Sequence, residues 1–282
     1  LHSSGLNFND NTLPSSKLRD GVTSSGIAID NITWDTAYNT VAVDILRNYG
    51  VGTIIHSDTV WSGAPVIDQN VHVMGGVTLT VQAGTEVSFE SGKGVILMPG
   101  SRLNVPGSKN QPVVFQSTDS TSNPWQGILV KGPGALLNFR HVIIRDADKA
   151  IRVKKRFELT LENITFINNQ YALDVRNENK EALIQFAKCK FRESKIDILN
   201  TNNKKVQLAI SHCIFENSKL SSFNNHLQLI NNTFIGTSQI SSRQDILILK
   251  NNIFYGMTEH LNIGSPPEIY EIQYNCFSSL AN

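Results

Sequence analysis

The acidic residues that come nearest to a catalytic pair are Asp146 and Asp148, in the segment RDADK. A glycosidase needs two facing carboxyl groups, and a polysaccharide lyase needs carboxylates that hold Ca²⁺ together with a base. Other residues that could join such a site are Arg145, Arg152, Asp119 and Asp174. The alternative is a solvated loop after the strand HVIIR. We expect that alternative, and therefore no catalytic residue.

The other residue types that support chemistry form no recognised pattern. The seven histidines are scattered, and no pair has the spacing of zinc ligands. The sequence contains no phosphate-binding loop, no dinucleotide-binding fingerprint and no nucleophile elbow. We therefore predict no bound metal, no cofactor and no enzymatic activity.

Three sites match the acceptor pattern for N-glycosylation, with the acceptors Asn31, Asn163 and Asn231. Such acceptors are modified on the surfaces of secreted proteins. The chain opens without Met or a signal peptide, so we expect a fragment of a larger secreted or membrane-anchored protein. No run of 18 apolar residues is present, so we expect no direct membrane insertion.

The elements that would position these residues follow from an internal repeat. Six segments end in Phe at steps of 19 to 25 residues, and each has apolar or aromatic residues seven and five positions before the Phe. The six are Phe166, Phe191, Phe215, Phe234, Phe254 and Phe277. A separation of two places both apolar residues on one face of a strand. The odd offset of the Phe requires a bend before it, so that both short strands face one interior.

The bend has its own repeating chemistry two residues before each Phe from Phe191 onward. Cys189, Cys213, Asn232, Asn252 and Asn275 occupy this position. Asn tolerates the left-handed backbone of a tight bend, and its side chains can hydrogen-bond from turn to turn. We predict that Cys189 and Cys213 stack on adjacent turns as free thiols, with Cα atoms roughly 5 Å apart. With Cys276 the count is odd, so the cysteines cannot all pair internally.

A second apolar pair after each Phe gives three short strands per turn. This arrangement predicts an all-β protein, a right-handed parallel β-helix of nine to eleven turns over residues 59–282. Residues 1–58 are expected to form N-terminal turns or a cap. Within them, Trp34 is predicted to take the place of the Phe, and residues 37–50 fit a helix or a strand equally well.

A family resemblance appears in the stretch VTLTVQAGTEVSF, GVILMPGSRLNVPGSKNQPVVFQSTDS and WQGILV. It resembles the parallel β-helix repeat proteins of the pectate-lyase-like superfamily, and most of all their extracellular, non-enzymatic members. The resemblance covers about residues 60–277. It implies the fold, but it is not specific for an activity.

The loops that precede the repeated segments carry basic residues about one turn apart, which we call the basic corner. They are Lys154, Lys155, Arg156, Lys180, Lys204, Lys205 and Arg243. Such a corner could bind an anionic glycan or an acidic protein surface, or it could serve solubility alone.

Alignment of the turns predicts no acidic column beyond the pair Asp146 and Asp148. Asp174 lies eight residues after Phe166, whereas Asp197 lies six residues after Phe191, so aspartates of adjacent turns fall at unmatched distances from the Phe.

The expected partners are a protein or an anionic glycan at the cell surface, with self-association left open. A net charge of +1 gives no reason to expect nucleic acid. The leading hypothesis is an extracellular adhesion or scaffold module. The alternatives are a polysaccharide lyase or hydrolase of the same fold, and a glycan-binding module whose exposed aromatics would be Trp61, Trp125 and Tyr171.

Overall fold

The architecture is an all-β solenoid, seen in a computed structural model of the chain. The described residues contain strands, turns and bends but no helix. They are 27–35, 40–47, 52–119, 123–153, 158–177, 182–200, 206–236, 238–256, 261–263 and 269–278. The predicted all-β fold class is therefore confirmed.

The strands are short, as the repeat predicts. In chain order they are β1 (Ile27–Asp35), β2 (Thr40–Arg47), β3 (Gly52–Ile55), β4 (Thr59–Trp61), β5 (Val66–Ile67), β6 (Asn70–Val73), β7 (Thr78–Val81), β8 (Glu86–Phe89), β9 (Gly94–Leu97), β10 (Arg102–Pro106), β11 (Val113–Ser117), β12 (Trp125–Val130), β13 (Leu136–Arg145) and β14 (Ala147–Val153). They continue with β15 (Glu158–Ile167), β16 (Tyr171–Asn177), β17 (Ala182–Ala187), β18 (Lys190–Arg192), β19 (Lys195–Asn200), β20 (Val206–Ser211), β21 (Ile214–Glu216), β22 (Lys219–Ile230), β23 (Thr233–Ile235), β24 (Gln239–Lys250), β25 (Ile253–Tyr255), β26 (Leu261–Ile263), β27 (Ile269–Gln273) and β28 (Cys276–Ser278).

From β3 onward every pairing is parallel, and the strands form three faces of one coil. Sheet I contains β3, β6, β9, β12, β14, β16, β19, the first halves of β22 and β24, and β26. Sheet II contains β4, β7, β10, the first halves of β13 and β15, β17, β20, the second halves of β22 and β24, and β27. Sheet III contains β5, β8, β11, the second halves of β13 and β15, β18, β21, β23, β25 and β28. Each face has ten strand segments, so the described chain makes ten turns, eight of which have a neighbour on both sides.

The core is built from the predicted inward columns. The apolar residues seven and five positions before each Phe are buried from Leu159 to Leu249, and so are the five Phe residues from Phe166 to Phe254. The Phe rings stack face to face, with centroid separations of 4.6 to 5.1 Å and interplanar angles of 4° to 12°. The column continues to Phe277, which is half exposed because it belongs to the last described turn.

In the C-terminal turns, two consecutive residues form the corner between sheets II and III, and each has a different role. The first residue has a left-handed backbone, with φ of 54° at Lys188, 55° at His212 and 54° at Asn251. The second residue points inward, and these second residues form what we call the amide–thiol column: Cys189, Cys213, Asn232, Asn252 and Asn275. The left-handed bend is confirmed, but it falls one residue earlier than the sequence analysis placed it.

A second polar column lies at the corner between sheets III and I, and sequence analysis missed it. Its buried members are Asn169, Ser194, Ser218 and Ser238. The main-chain N–H groups of Asn169, Ser194 and Ser218 each donate to the side-chain oxygen of the next turn, at 3.2 Å. The sequence did carry a sign of it, because Asn or Ser recurs three residues after Phe166, Phe191 and Phe215.

Residues before the solenoid depart from one expectation. β1 and β2 pair with each other in an antiparallel hairpin that is a separate two-stranded sheet. Trp34 therefore does not take the place of a solenoid Phe, since it pairs with Val41 and not with another turn. Residues 40–47 form a strand, and the helix alternative is wrong there.

Candidate functional site

The predicted basic corner falls mostly outside the described residues. Lys154, Lys155, Arg156, Lys180, Lys204 and Lys205 all lie there. Arg243 lies on β24, but its side chain is outside the described part. The basic corner therefore stays a prediction.

The acidic residues singled out in the sequence each have a separate partner. Asp146 has a left-handed backbone at the corner between sheets III and I, and its Oδ1 accepts a hydrogen bond of 2.7 Å from Asn168. Asp148 forms an ion pair of 2.6 Å with Lys149. Each of the two carboxylates therefore has its own local partner.

A different acidic pair does stack, on the outer side of sheet I. Asp174 and Asp197 are direct partners in the parallel ladder, which places their Cα atoms about 5 Å apart. Both side chains are buried although they alternate with the inward residues Leu173 and Ile196. The sequence analysis argued that no acidic column forms beyond Asp146 and Asp148, because the distances from Phe to Asp differ between turns. That argument is wrong.

The error comes from a difference in length between the two turns. Asp174 follows the inward corner residue Asn169 by five positions, whereas Asp197 follows Ser194 by three. Two extra residues keep the side chain on the same face, because the period of a strand is two. The offset differs by two whether it is counted from the Phe or from the corner residue, so the two aspartates match in the parity of their offsets and not in the offsets themselves.

Cations lie beside both carboxylates of this Asp174–Asp197 pair. Arg152 Nε is 3.2 Å from Asp174 Oδ2, and Lys195 Nζ is 3.7 Å from Asp197 Oδ2. The Tyr171 ring also contacts Lys195, whose Nζ is 4.9 Å from the ring centroid. Removing one partner from such a buried ion pair would leave an uncompensated charge. Among the described contacts, each carboxylate of the pair thus has a cation beside it.

The outer side of sheet I is also covered nearer its N-terminal end. His72 and Ile96 are ladder partners and are both buried, although they alternate with inward residues. Burial, together with the nearby charge of Lys131, lowers the pKa of His72 to about 4. His72 is therefore neutral at physiological pH.

The outer side of sheet III shows the opposite character in its C-terminal turns. Ile214, Ile253 and Tyr255 are 41%, 47% and 48% exposed, and Ile235 beside them is half-buried. They occupy two adjacent outward columns of β21, β23 and β25. We call these four residues the sheet III patch. Their place one residue before or after each repeat Phe is visible in the sequence, although the sequence analysis did not use it.

Charged residues border the sheet III patch, with Glu216 on β21 itself and Lys190 and Arg192 on β18 of the preceding turn. Glu216 Oε2 lies 3.0 Å from Arg192 Nε and 3.7 Å from Lys190 Nζ. The hydrogen bond from Arg192 lowers the pKa of Glu216 below its ordinary value. An apolar strip with a charged border is a common form of protein contact surface.

Two of the three predicted glycosylation acceptors lie at the corner between sheets II and III. Asn163 and Asn231 both have left-handed backbones, with φ of 57° and 58°. Asn231 is exposed and Asn163 is half-buried. Asn31 lies on β1, but its side chain is outside the described residues. Glycosylation stays a prediction at all three.

The cysteines are arranged as predicted. Cys189 and Cys213 occupy adjacent turns of the amide–thiol column, are buried, and are free, while Cys276 is free and exposed. The Cys189 N–H donates to Cys213 Sγ at 3.3 Å. The hydrogen bond between the two thiols and their burial raise the pKa of Cys213.

The aromatic residues considered for glycan binding are only partly available. Trp125 is buried, stacks on Phe89 at 4.4 Å, and donates from Nε1 to the Arg145 carbonyl. Trp61 packs against the core. Tyr171 is half-buried between the ammonium groups of Lys149 and Lys195. Trp125 is therefore a core residue and not a ligand platform.

No protein-family model, no curated protein and no solved structure matches the chain. Its class therefore follows from its architecture alone. The class that the structure defines is the parallel β-solenoid. Within the described ranges, no group of three or more His, Cys, Asp or Glu could hold a metal ion. The same part of the chain has no helix of the length and hydropathy needed to cross a membrane.

Proposed function

We propose that the chain is an extracellular adhesion or scaffold module of a larger cell-surface or secreted protein. The observation that supports this most is the sheet III patch, which presents large apolar side chains on the outer side of a parallel sheet. Exposed apolar side chains on successive turns are a feature of protein contact surfaces. The predicted glycosylation acceptors support an extracellular setting.

A finer proposal concerns ancestry. We propose that the chain belongs to the non-enzymatic, extracellular branch of the pectate-lyase-like superfamily. Three parallel sheets and the corner with an Asn column support this, together with the resemblance in residues 60–277. The insect tricellular-junction receptor known as Bark beetle or Anakonda is the particular relative that we put forward, on sequence resemblance alone.

Bead adhesion tests the proposed function. Fluorescent beads coated with the purified chain should cluster with one another or attach to cultured cells and to extracellular matrix proteins. The double variant Ile253→Asp/Tyr255→Asp should reduce that attachment at least fivefold. The matched control is Val60→Asp/Val66→Asp, which changes two exposed valines of the first turn and should leave attachment intact. Beads that never attach, or that attach equally with the patch variant, would contradict the proposal.

A polysaccharide-active enzyme is the second candidate, because Asp174 and Asp197 stack on adjacent turns beside Arg152. Retaining glycosidases use two carboxyl groups about 5–5.5 Å apart, which is close to the spacing of adjacent turns in a parallel sheet. The test is an assay for cleavage of pectate, alginate and glycosaminoglycans, with and without Ca²⁺. Turnover that disappears in Asp174→Asn/Asp197→Asn would replace the adhesion proposal with this candidate. The control is Asp146→Asn/Asp148→Asn.

A further inference from the structure

The last described turn of the solenoid exposes the inward columns of the core. Tyr270, Ile272 and Phe277 continue these columns, yet they are 67%, 45% and 52% exposed. Their ladder partners one turn earlier are fully buried, namely Leu247, Leu249 and Phe254. Each of the three columns therefore ends in an apolar side chain that one further strand could cover.

The strands of this turn also have free edges. Among the described residues, β27 pairs only with β24, and β28 pairs only with β25. A free strand edge presents unpaired main-chain N–H and C=O groups to which another strand can bind. Specificity in such strand addition comes from side chains at alternate positions. The occupant that fits this end is therefore a strand with apolar residues at the spacing of the columns.

β1 has apolar residues at this spacing. In the last turn, successive column residues are separated by two and then by five positions, and the same separations hold for Ile27, Ile29 and Trp34 of β1. Ile32 stands where the amide–thiol column has Asn or Cys. β1 therefore matches the apolar columns, and it would end the polar one.

The backbone of β1 is irregular at the matching place. Its register with β2 shifts between Asp30 and Thr33, so that Asn31 and Ile32 together face one residue of β2. These two residues lie three and two positions before Trp34. The two corner residues of a C-terminal solenoid turn lie three and two positions before its Phe. The irregularity of β1 therefore falls where a turn of the solenoid bends.

β1 has a free edge, but it cannot reach the last turn of its own chain while the hairpin is intact. Among the described residues β1 pairs with β2 alone. Ile27 pairs with Arg47, and the four residues from there to Gly52 in the first turn span at most about 17 Å. The first and last of the ten turns are nine strand spacings apart, about 43 Å. A β1 strand that covers the last turn must therefore come from a second copy.

We propose that β1 of one copy pairs in parallel with β27 and β28 of another copy and adds a turn to its solenoid. Trp34 then stacks on Phe277, and the two isoleucines of β1 cover the other two apolar columns. We call β1 the head and the last described turn the tail. Because head and tail are different surfaces, each copy can use both, and the copies assemble head to tail. This association does not use the sheet III patch and is independent of the proposed adhesion.

Sedimentation velocity of the full chain tests the proposal. The average sedimentation coefficient of the wild type should rise with protein concentration. The head variant Ile27→Asp/Ile29→Asp and the tail variant Ile272→Asp/Phe277→Asp should each be monomeric, because charge in the contact is costly to bury. An equimolar mixture of the two should form dimers and nothing larger, since it retains one intact head and one intact tail. The control Leu136→Asp changes an exposed hydrophobic residue of a middle turn and should associate like the wild type.

Four other outcomes overturn the proposal. A wild type that stays monomeric up to its solubility limit would remove the association itself. Association that persists in either variant alone would place the contact elsewhere. A loss in the tail variant alone would indicate that two tails meet, and a mixture that stays monomeric would exclude a head-to-tail contact. Far-ultraviolet circular dichroism shows that the solenoid of each variant is folded. If the head variant loses its hairpin, the mixture still decides the test, because that variant supplies only its tail.

Discussion

The N-terminal turns and the C-terminal turns make the same coil with different corner chemistry. Between residues 52 and 135 the corners use glycine wherever φ is positive, as at Gly76 and Gly100, and their main-chain groups bond from turn to turn. Beyond residue 140 most corners place a non-glycine residue in the left-handed conformation. A buried Asn, Cys or Ser follows it in several turns. The C-terminal turns therefore accept backbone strain that the N-terminal turns avoid.

The difference shows what the polar columns contribute. The Asn252 side chain accepts two hydrogen bonds from Asn232. One comes from the main-chain N–H of Asn232 at 3.0 Å, and the other comes from the side-chain Nδ2 of Asn232 at 3.1 Å. The Asn252 side chain also donates to the carbonyl of Leu229 at 2.8 Å. These bonds satisfy main-chain groups that a two-residue corner would otherwise leave buried and unpaired. The corner side chain takes over the role of a longer glycine turn.

The two regions also differ in how far the hydrophobic side chains on their outer surfaces are exposed. Of the ten large hydrophobic side chains that are exposed among the described residues, seven lie between Ile214 and Phe277. On sheet I, by contrast, the outward residues His72 and Ile96 of the N-terminal turns are buried. Four of the seven belong to the last described turn, and the other three, Ile214, Ile253 and Tyr255, belong to the sheet III patch, so the proposed contact surface lies in the turns with the tight corners.

The largest effect should come from the aromatic column. Phe215→Ala should lower the free energy of unfolding by about 3–5 kcal/mol, because the ring is buried between two stacked neighbours. Val87 lies in the same column in the N-terminal turns, and Val87→Ala should cost less, about 2 kcal/mol. Guanidinium denaturation measures both. Equal costs for the two variants would contradict the distinction between the two regions. The control is Ile214→Ala, which changes an exposed residue on β21, the strand that also contains Phe215.

The corner pair should show a smaller, paired effect. Asn252→Ala removes bonds to buried main-chain groups and should cost about 2–4 kcal/mol. Asn251→Gly relieves a left-handed backbone and should be neutral or stabilising by about 1 kcal/mol. The same denaturation experiment compares them. A stability loss in Asn251→Gly as large as that in Asn252→Ala would contradict the separate roles, namely a left-handed backbone at Asn251 and buried hydrogen bonds at Asn252.

His72 should make the N-terminal turns sensitive to acid. Its folded pKa of about 4 lies below its ordinary value of 6.5, so the unfolded chain binds more protons between these values. The contribution of neutral His72, up to about 3 kcal/mol, is present above pH 6.5 and is lost as the pH falls towards 4. Denaturation of the wild type and His72→Gln at pH 7 and pH 4.5 measures it. Parallel losses in both proteins would contradict the assignment.

The last prediction concerns the number of thiol groups that react in the native and in the denatured chain. Ellman's reagent should modify one thiol in the native chain, the exposed Cys276, and three after denaturation without reductant. The buried Cys189 and Cys213 should react only when the chain unfolds. Finding one thiol in the denatured chain would mean that Cys189 and Cys213 form a disulfide, and the free-thiol prediction would be wrong.

The sequence predicted the C-terminal turns well because their side chains repeat. The Phe residues and the apolar residues before them occupy the same place in every turn, so their columns and the stacking of Cys189 on Cys213 follow from counting. The N-terminal turns were harder, since glycine corners of variable length leave no side chain to align. Phe89 and Phe115 illustrate this, because the two Phe residues are not ladder partners. Phe115 pairs with Val87, and Phe89 pairs with Ser117.

The surfaces were less predictable for a physical reason. Whether an outward residue is buried depends on what covers it, and no periodicity in the strand itself records that. Asp174 and Asp197 look like ordinary exposed residues in the sequence, yet both are buried. A groove on the outer side of sheet II likewise combines residues of four strands, β17, β20, β22 and β24, that are about 20 residues apart in the chain.

Hydrogen exchange at the corners tests the central claim most directly, namely that inward side chains hold the C-terminal turns together. The Asn252 N–H donates to Asn275 Oδ1 at 2.9 Å, in the last described turn. In Asn275→Ala the amide of Asn252 should exchange at least tenfold faster, while the amide of Gly100, which bonds to the Pro133 carbonyl, should be unchanged. Unchanged protection at Asn252 would contradict the account.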